Sequence, residues 1–177
     1  LDRKDYPPGQ HGQSRRRKAT DYAMALAEKQ KMRYYYGLME KQFRGVYKKA
    51  IRRRGVTGEI MLQILETRLD SVVFSLGFGY TRAQARQMVT HGHVLVNGKR
   101  ARTPSIALNE NDAVEIKPVE KSRHLADKNL EYSTSRIVPE WLELDKGAYK
   151  GTLKRMPTRE DVEPIANEQT IVEFYSR

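Results

Sequence analysis

Arg82, Arg86, His91 and His93 are the side chains of this sequence best spaced to do chemistry together. Arg82 and Arg86 stand four apart, so a helix would put them one turn apart on one outer face. Gln87 lies about one position further around. His91 and His93 flank Gly92, where a helix would stop. Guanidinium groups make paired bonds to phosphate oxygens, and imidazoles donate to phosphate or stack on bases. The chemistry that this pattern suits is binding of a phosphate backbone.

Those side chains need a rigid mount. Thr81 and Gln84 form an S/T-x-x-E/Q capping box at a helix start. Ala85, Met88 and Val89 form its inner face, and Gly92 supplies a left-handed stop. Val94 and Val96 then alternate as a strand, and Asn97-Gly98 is a hairpin turn signal. Lys99, Arg100 and Arg102 follow on the return strand.

The flanks extend the pattern. Thr20 can cap a helix over residues 20–36, with Leu26, Met32 and Tyr36 as its apolar stripe. A second helix is predicted over 38–54, with Phe43, Val46, Tyr47, Ala50 and Ile51 on one face and Lys41, Arg44, Lys48, Lys49 and Arg52 on the other. From Thr57, a third apolar face runs through Ile60, Ile64 and Leu65, then Leu69, Val72, Val73 and Leu76, with a break near Thr67. Arg68 and Asp70 fall outside that stripe. Val114 and Ile116 alternate as a further strand. Residues 120–155 read as short strands and loops around Trp141. Thr158 to Asp161 repeats a capping pattern, and the terminal TIVEFYSR fits helix and strand equally well.

Charge is uneven along the 177 residues, whose net value is +11. Residues 1–60 carry 16 Lys+Arg against 6 Asp+Glu, and residues 61–177 carry 17 against 16. The excess therefore sits in the first third, which includes the run Arg15, Arg16, Arg17 and Lys18. Such asymmetry is a footprint for a polyanion. No apolar run approaches the roughly 20 residues of a membrane span. With no cysteine there is neither a disulfide nor a thiolate metal site, and no third ligand accompanies His91 and His93. No phosphate-binding G-x-x-x-x-G-K-[ST] loop and no G-x-S-x-G elbow occurs. Catalytic residues, metal ligands, cofactors and a small-molecule substrate are accordingly not assigned.

The run RLDSVVFSLGFGYTRAQARQMVTHGHVLVNGK resembles the S-four RNA-binding module. Its surroundings are similar to the bacterial-type S-four family of small-subunit ribosomal proteins: Tyr6-Pro-Pro-Gly-Gln-His-Gly12, EKQK at 28–31, EKQFR at 40–44 and the terminal IVEFYSR. Family members usually carry further residues ahead of the Tyr6 motif, often with a zinc-binding cysteine cluster. Nothing here matches that segment, and no zinc site is inferred.

The resemblance implies an α+β protein, mainly a helical domain with an inserted S-four module of two helices and a small antiparallel sheet. Residues 1–66, completed by 157–177, would form the helical part. Residues 67–156 would form the module, with its core motif at 68–116. It implies a structural constituent of the small ribosomal subunit, not an enzyme. Such a protein binds small-subunit rRNA at a multi-helix junction in the 5′ domain, nucleates assembly and affects fidelity. The implied partners are rRNA, neighbouring small-subunit proteins and mRNA where it enters the subunit, with no membrane. The implied place is a cytoplasmic ribosome, an organellar one also being compatible. RNA contact is carried onto Arg68, Arg82, Arg86, Gln87, His91, His93, Asn97 and Lys99. It is carried also onto Tyr6, Gly9, Gln10 and His11, and onto Arg15, Arg16, Arg17 and Lys18. Two alternatives share the module: a non-ribosomal regulatory RNA binder, and an RNA-modifying enzyme that would use Asp70 in Arg68-Leu69-Asp70.

Overall fold

A computed structural model describes residues 6, 9–12, 20–133 and 136–176. The run Arg15 to Lys18 lies outside them. Two hydrophobic clusters organise the described chain.

The first cluster gathers α1 (Asp21–Tyr35), α2 (Glu40–Ile51), α3 (Thr57–Glu66) and, from the far end of the chain, α7 (Glu168–Ser176). Thr20 caps α1, its hydroxyl accepting from the Ala23 N–H at 3.2 Å. Met32 and Tyr36 are buried as their spacing predicts, but Leu26 is only half-buried. Ala25 and Lys29 take the inner positions instead. The Lys29 ammonium survives burial because it reaches Glu40 Oε2 at 2.6 Å and lies over the rings of Phe174 and Tyr175. Phe43, Val46, Tyr47 and Ala50 turn α2 inward, whereas Ile51 is exposed. Within the terminal TIVEFYSR, residues 170–176 belong to α7, with Ile171 fully buried in this cluster.

The second cluster is built from α4 (Leu69–Ser75), α5 (Arg82–His91) and a five-stranded antiparallel sheet. Its strands are β1 (Val94–Val96), β2 (Lys99–Ala101), β3 (Ala113–Ile116), β4 (Leu142–Asp145) and β5 (Lys150–Leu153), in the order β2-β1-β3-β5-β4. Val94 faces Ala101 on one side and Ile116 on the other, so three buried apolar residues meet across the strands. The expected break near Thr67 is real. The Leu108 N–H donates to the Thr67 carbonyl at 2.9 Å, and the Leu69 N–H to the Ile106 carbonyl at 2.9 Å. A neighbouring loop thus satisfies backbone groups that a continuous helix would have used.

The reading of 120–155 as short strands and loops holds over 136–155 and is corrected over 120–132. Residues Glu120–Tyr132 form a helix, α6, and β4 and β5 extend the sheet beyond β3. The α6 helix was hidden because two of its three buried residues, Ser122 and Asn129, are polar. The Thr158–Asp161 pattern caps no helix either. Asp161 accepts from the Thr158 N–H and hydroxyl in a turn and is held by Arg155, whose guanidinium keeps that carboxyl well below the usual range. Among the described residues no helix is long and apolar enough to cross a membrane. The architecture is α+β: helices, and a small antiparallel sheet beside an α4–α5 pair.

Candidate nucleic-acid interface

The α5 helix is positioned much as its residues dictate. The Thr81 hydroxyl accepts from the Gln84 N–H at 3.1 Å. The return arm differs from a simple box: Gln84 Oε1 accepts from the Tyr80 N–H at 2.8 Å, and its Nε2 donates to Asn129 Oδ1 of α6 at 3.0 Å. At the far end Gly92 adopts φ 73°, and the His93 N–H donates to the Met88 carbonyl at 3.0 Å. A side chain at Gly92 would collide with the Arg100 guanidinium, which folds over that turn. The chain therefore leaves α5 with His91 and His93 on either side of a fixed corner, ring centres 6.3 Å apart.

Arg82 and Arg86 share a face, but it is not an outer one. It turns toward α4 and the end of α1. Asp70 is buried there and accepts from Arg68 Nε at 3.0 Å, Arg68 Nη2 at 2.8 Å, Arg86 Nη1 at 3.0 Å and the Ser71 N–H at 3.1 Å. Four accepted bonds saturate both oxygens. Arg68, outside the apolar stripe and given an RNA contact by the resemblance, is likewise buried, its guanidinium committed to Asp70. Arg82 is more enclosed than Arg86, with side-chain exposures of 16% and 39%. Its guanidinium lies 4.3, 4.6 and 4.6 Å from the ring centres of Tyr35, Tyr36 and Phe74. It also bonds Ser71 Oγ at 3.2 Å and reaches Glu66 Oε1 at 3.5 Å. Burial, and then the Glu66 charge, push the Tyr36 phenol well above its ordinary pKa, so it stays protonated and donates to Glu66 at 2.6 Å. Arg82 therefore joins the two clusters. A cavity of about 210 Å³ opens beside it, between Tyr34–Gly37 and Asp70, Ser71 and Arg86.

The remaining predicted residues divide clearly. Gln87, His91 and Lys99 are exposed, and His93 is half-buried. His93 Nδ1 is hydrogen-bonded to Ser122 Oγ at 2.9 Å. Burial depresses its pKa, and His91, Lys121, Arg100 and Lys117 add to the effect. These five cationic or imidazole groups define one basic surface. Lys117 and Lys121 join it only through the fold, since β3 and α6 carry them there. Asn97 adopts φ 50° in the hairpin turn, as Asn-Gly predicts. Its amide is committed internally, donating to Asp112 Oδ1 at 2.8 Å and accepting from the Ala113 N–H at 2.9 Å.

A second basic surface lies on α2 and the turn after it. Lys41, Arg44, Lys48, Lys49, Arg52, Arg53 and Arg54 are all exposed, and none forms an ion pair among the described residues. At the N-terminal motif, the Gly12 N–H donates to the Gly9 carbonyl at 3.2 Å, closing a turn that exposes Gln10 and His11. Tyr6 is half-buried. No group of three metal-ligating side chains occurs among the described residues.

Comparison with known proteins meets this geometry at both surfaces. The model for the ribosomal protein S4/S9 N-terminal domain matches residues 1–66, and that for the S4 domain matches residues 67–114. The small ribosomal subunit protein uS4 of Opitutus terrae is 52% identical over 177 residues, covering all of this chain and 87% of the relative. That of Akkermansia muciniphila is 48% identical over 178 residues, covering all of this chain and 88% of the relative. That of Thermus thermophilus is 47% identical over 177 residues, covering all of this chain and 85% of the relative. The two matched parts meet between Glu66 and Thr67, where α3 gives way to the Arg68–Asp70 pair. The chain belongs to the family of the small ribosomal subunit protein uS4.

Proposed function

We propose that this chain is a structural constituent of the small ribosomal subunit that binds its rRNA and catalyses no reaction. The observation that carries the reading is the cationic surface of α2 and its following turn, whose seven exposed Lys and Arg side chains form no ion pair among the described residues. Such a surface neutralises phosphates and releases counterions. The family membership supplies the RNA: its relatives are small-subunit proteins. Asp70, the one residue a modifying enzyme would need, has both oxygens occupied, which speaks against that alternative.

In this reading residues 1–66 with 157–177 grip one part of a multi-helix junction in the 5′ domain, and residues 67–156 grip another. Gln87, His91, His93, Lys99 and the open edge of Arg86 touch RNA directly. Arg68 and Asn97 act at one remove, the first by fixing Asp70 and hence Arg86, the second by fixing the hairpin. Arg82 holds the two parts at one angle. Tyr6, Gly9, Gln10, His11 and Arg15 to Lys18 add contacts along the strand. Holding two helices at a set angle favours early assembly, and the same rigidity bears on fidelity. Neighbouring subunit proteins and incoming mRNA complete the partners, and the cytoplasmic ribosome is the place.

The test is a filter-binding titration of the full chain against small-subunit rRNA, paired with sedimentation through a low-salt gradient. Specific binding and co-sedimentation with small subunits are expected. Arg86→Gln should weaken rRNA binding by about 1–3 kcal/mol, the scale of a charge-assisted bond. A chain that binds unrelated RNA as well, and stays off small subunits, overturns the ribosomal reading.

A further inference from the structure

A separate groove of about 490 Å³ opens on the same junction of the two clusters. Four aromatic rings line it, from Tyr35, Phe74, Tyr80 and Tyr132, together with the guanidinium groups of Arg82 and Arg136. No carboxylate lines it among the described residues. Its volume falls in the range of sites that hold small organic groups, roughly 300–1,000 Å³.

Two of the rings are offered to solvent. Tyr80 is 51% exposed and Tyr132 61%, with ring centres 5.7 Å apart and planes tilted by 60°. Large exposed aromatics normally lie wherever a loop leaves them. Here the backbone under both is fastened. The Tyr80 carbonyl accepts from Arg136 Nη2 at 3.1 Å, and its N–H is held by Gln84. Gln84 also bonds Asn129, which stands three residues before Tyr132 on α6 and donates to the Phe78 carbonyl at 2.7 Å. Arg136 in turn bonds the Phe74 carbonyl at 3.1 Å and stacks 4.0 Å from its ring centre. The pair is pre-set before any ligand arrives.

The groove also carries unmet hydrogen-bonding capacity. Arg82 Nε and Ser133 Oγ are buried without a partner among the described residues, and both residues line it. Buried polar atoms are bonded in roughly nine cases of ten or more. Arg82 and Arg136 stand close enough that burial and then the Arg82 charge lower the Arg136 pKa. An acceptor-rich anionic group would answer the unmet donors and the repulsion together.

We propose that this groove holds one unpaired nucleotide of RNA, its base stacked on the Tyr80–Tyr132 pair and its phosphate beside Arg82 and Arg136. The assignment rests on the RNA-binding reading above and adds Tyr80, Tyr132, Ser133 and Arg136 to it. Flat rings favour a flat base, and stacking on them accepts any base identity. Arginine-only charge favours RNA over a protein segment, whose own basic groups would find no carboxylate here.

The experiment uses the full chain and a short single-stranded RNA carrying 2-aminopurine, whose emission falls when the base stacks. Quenching is expected with the natural chain and with Y80F/Y132F, and loss of quenching with Y80L/Y132L. The leucine pair should also bind small-subunit rRNA about 5- to 100-fold more weakly, the range for removing one stacked base. Its dependence on salt should stay the same, because no charge is removed. A readout that needs no variant is adenosine monophosphate titrated into the natural chain, which should first shift the amide signals of Tyr80, Tyr132 and Ser133. Unaltered quenching and rRNA affinity in a folded leucine pair, or amide shifts confined elsewhere, overturn the groove while leaving the ribosomal reading intact. A natural chain that fails to bind rRNA at all removes the reading itself. Weaker association with protein-containing small subunits at unchanged affinity for bare rRNA marks a protein contact, and also overturns the proposal.

Discussion

The basic face of α2 and the basic face of α5 carry the same chemical groups in opposite states. On α2 the cations stand free: Lys48, Lys49 and Arg52 are exposed and form no ion pair among the described residues. On α5 they are bound before RNA arrives, Arg86 to Asp70 and Arg82 to Glu66, Ser71 and three aromatic rings. Free cations give affinity that salt erodes and that tolerates any phosphate arrangement. Bound cations have lost rotamer freedom, and a neighbouring carboxylate offsets their field, so they contribute less attraction and more geometry. A protein that grips a folded RNA at two places benefits from both kinds. In the proposed reading one face would draw the RNA in, and the other would accept only the right shape.

The sharpest way to break this contrast is at Asp70. Asp70→Ala would leave Arg68 buried without its partner and Arg86 unanchored. Breaking a buried pair from one side costs about 3–5 kcal/mol. A urea unfolding titration should show that loss, whereas Lys48→Gln on α2 should stay within about 0.5 kcal/mol of the natural chain. Equal stability effects at the two positions would mean that the α5 face is no more organised than the α2 face.

The α2 face is probed by salt rather than by stability. Replacing Lys48, Lys49 and Arg52 together by Gln should leave the unfolding midpoint nearly unchanged. It should reduce the slope of log affinity for rRNA against log salt by about 2–3, at roughly 0.9 for each phosphate no longer neutralised. Replacing Arg86 alone should lower affinity with a slope change of at most about 1. A slope indifferent to the α2 substitutions would remove that surface from the RNA interface.

The same contrast explains what the sequence could and could not disclose. Thr81, Gly92 and Asn97-Gly98 are local devices, each acting within a few residues of itself, and their structures follow from their types. The exposed cations of α2 are equally legible, because an amphipathic helix turns its charged side out. Arg82 and Arg86 are legible as a pair but not as an inward-facing one. Helix periodicity says which residues share a face, not what the face meets. The residues met, Tyr35, Tyr36 and Glu66, come from another part of the chain. Lys29, Arg68 and Asn129 fail in the same way, since each is a polar residue buried by a partner distant in sequence or by a local pairing that hydropathy does not register. Lys117 and Lys121 join the His93 surface only because Lys117 follows β3, which pairs with β1, and α6 packs on β3.

The smallest effect is at His93, where pH separates the two kinds of face. Burial, with His91, Lys121, Arg100 and Lys117 around it, holds this imidazole below its ordinary pKa of about 6.5. The unfolded chain therefore takes up a proton more readily than the folded one. Stability is full above about pH 6.5 and declines as pH falls through that value toward the lowered one. A bound phosphate acts the other way, stabilising the imidazolium. RNA binding on this face is then accompanied by proton uptake, so affinity should rise as pH drops from about 7.5 to about 6, by less than about tenfold. Measured by filter binding at constant salt, that rise should vanish in His93→Gln and persist after the α2 substitutions, because lysine and arginine keep their charge throughout the range. A pH dependence unchanged in His93→Gln would place the phosphate away from the β1 corner and leave His93 to its bond with Ser122.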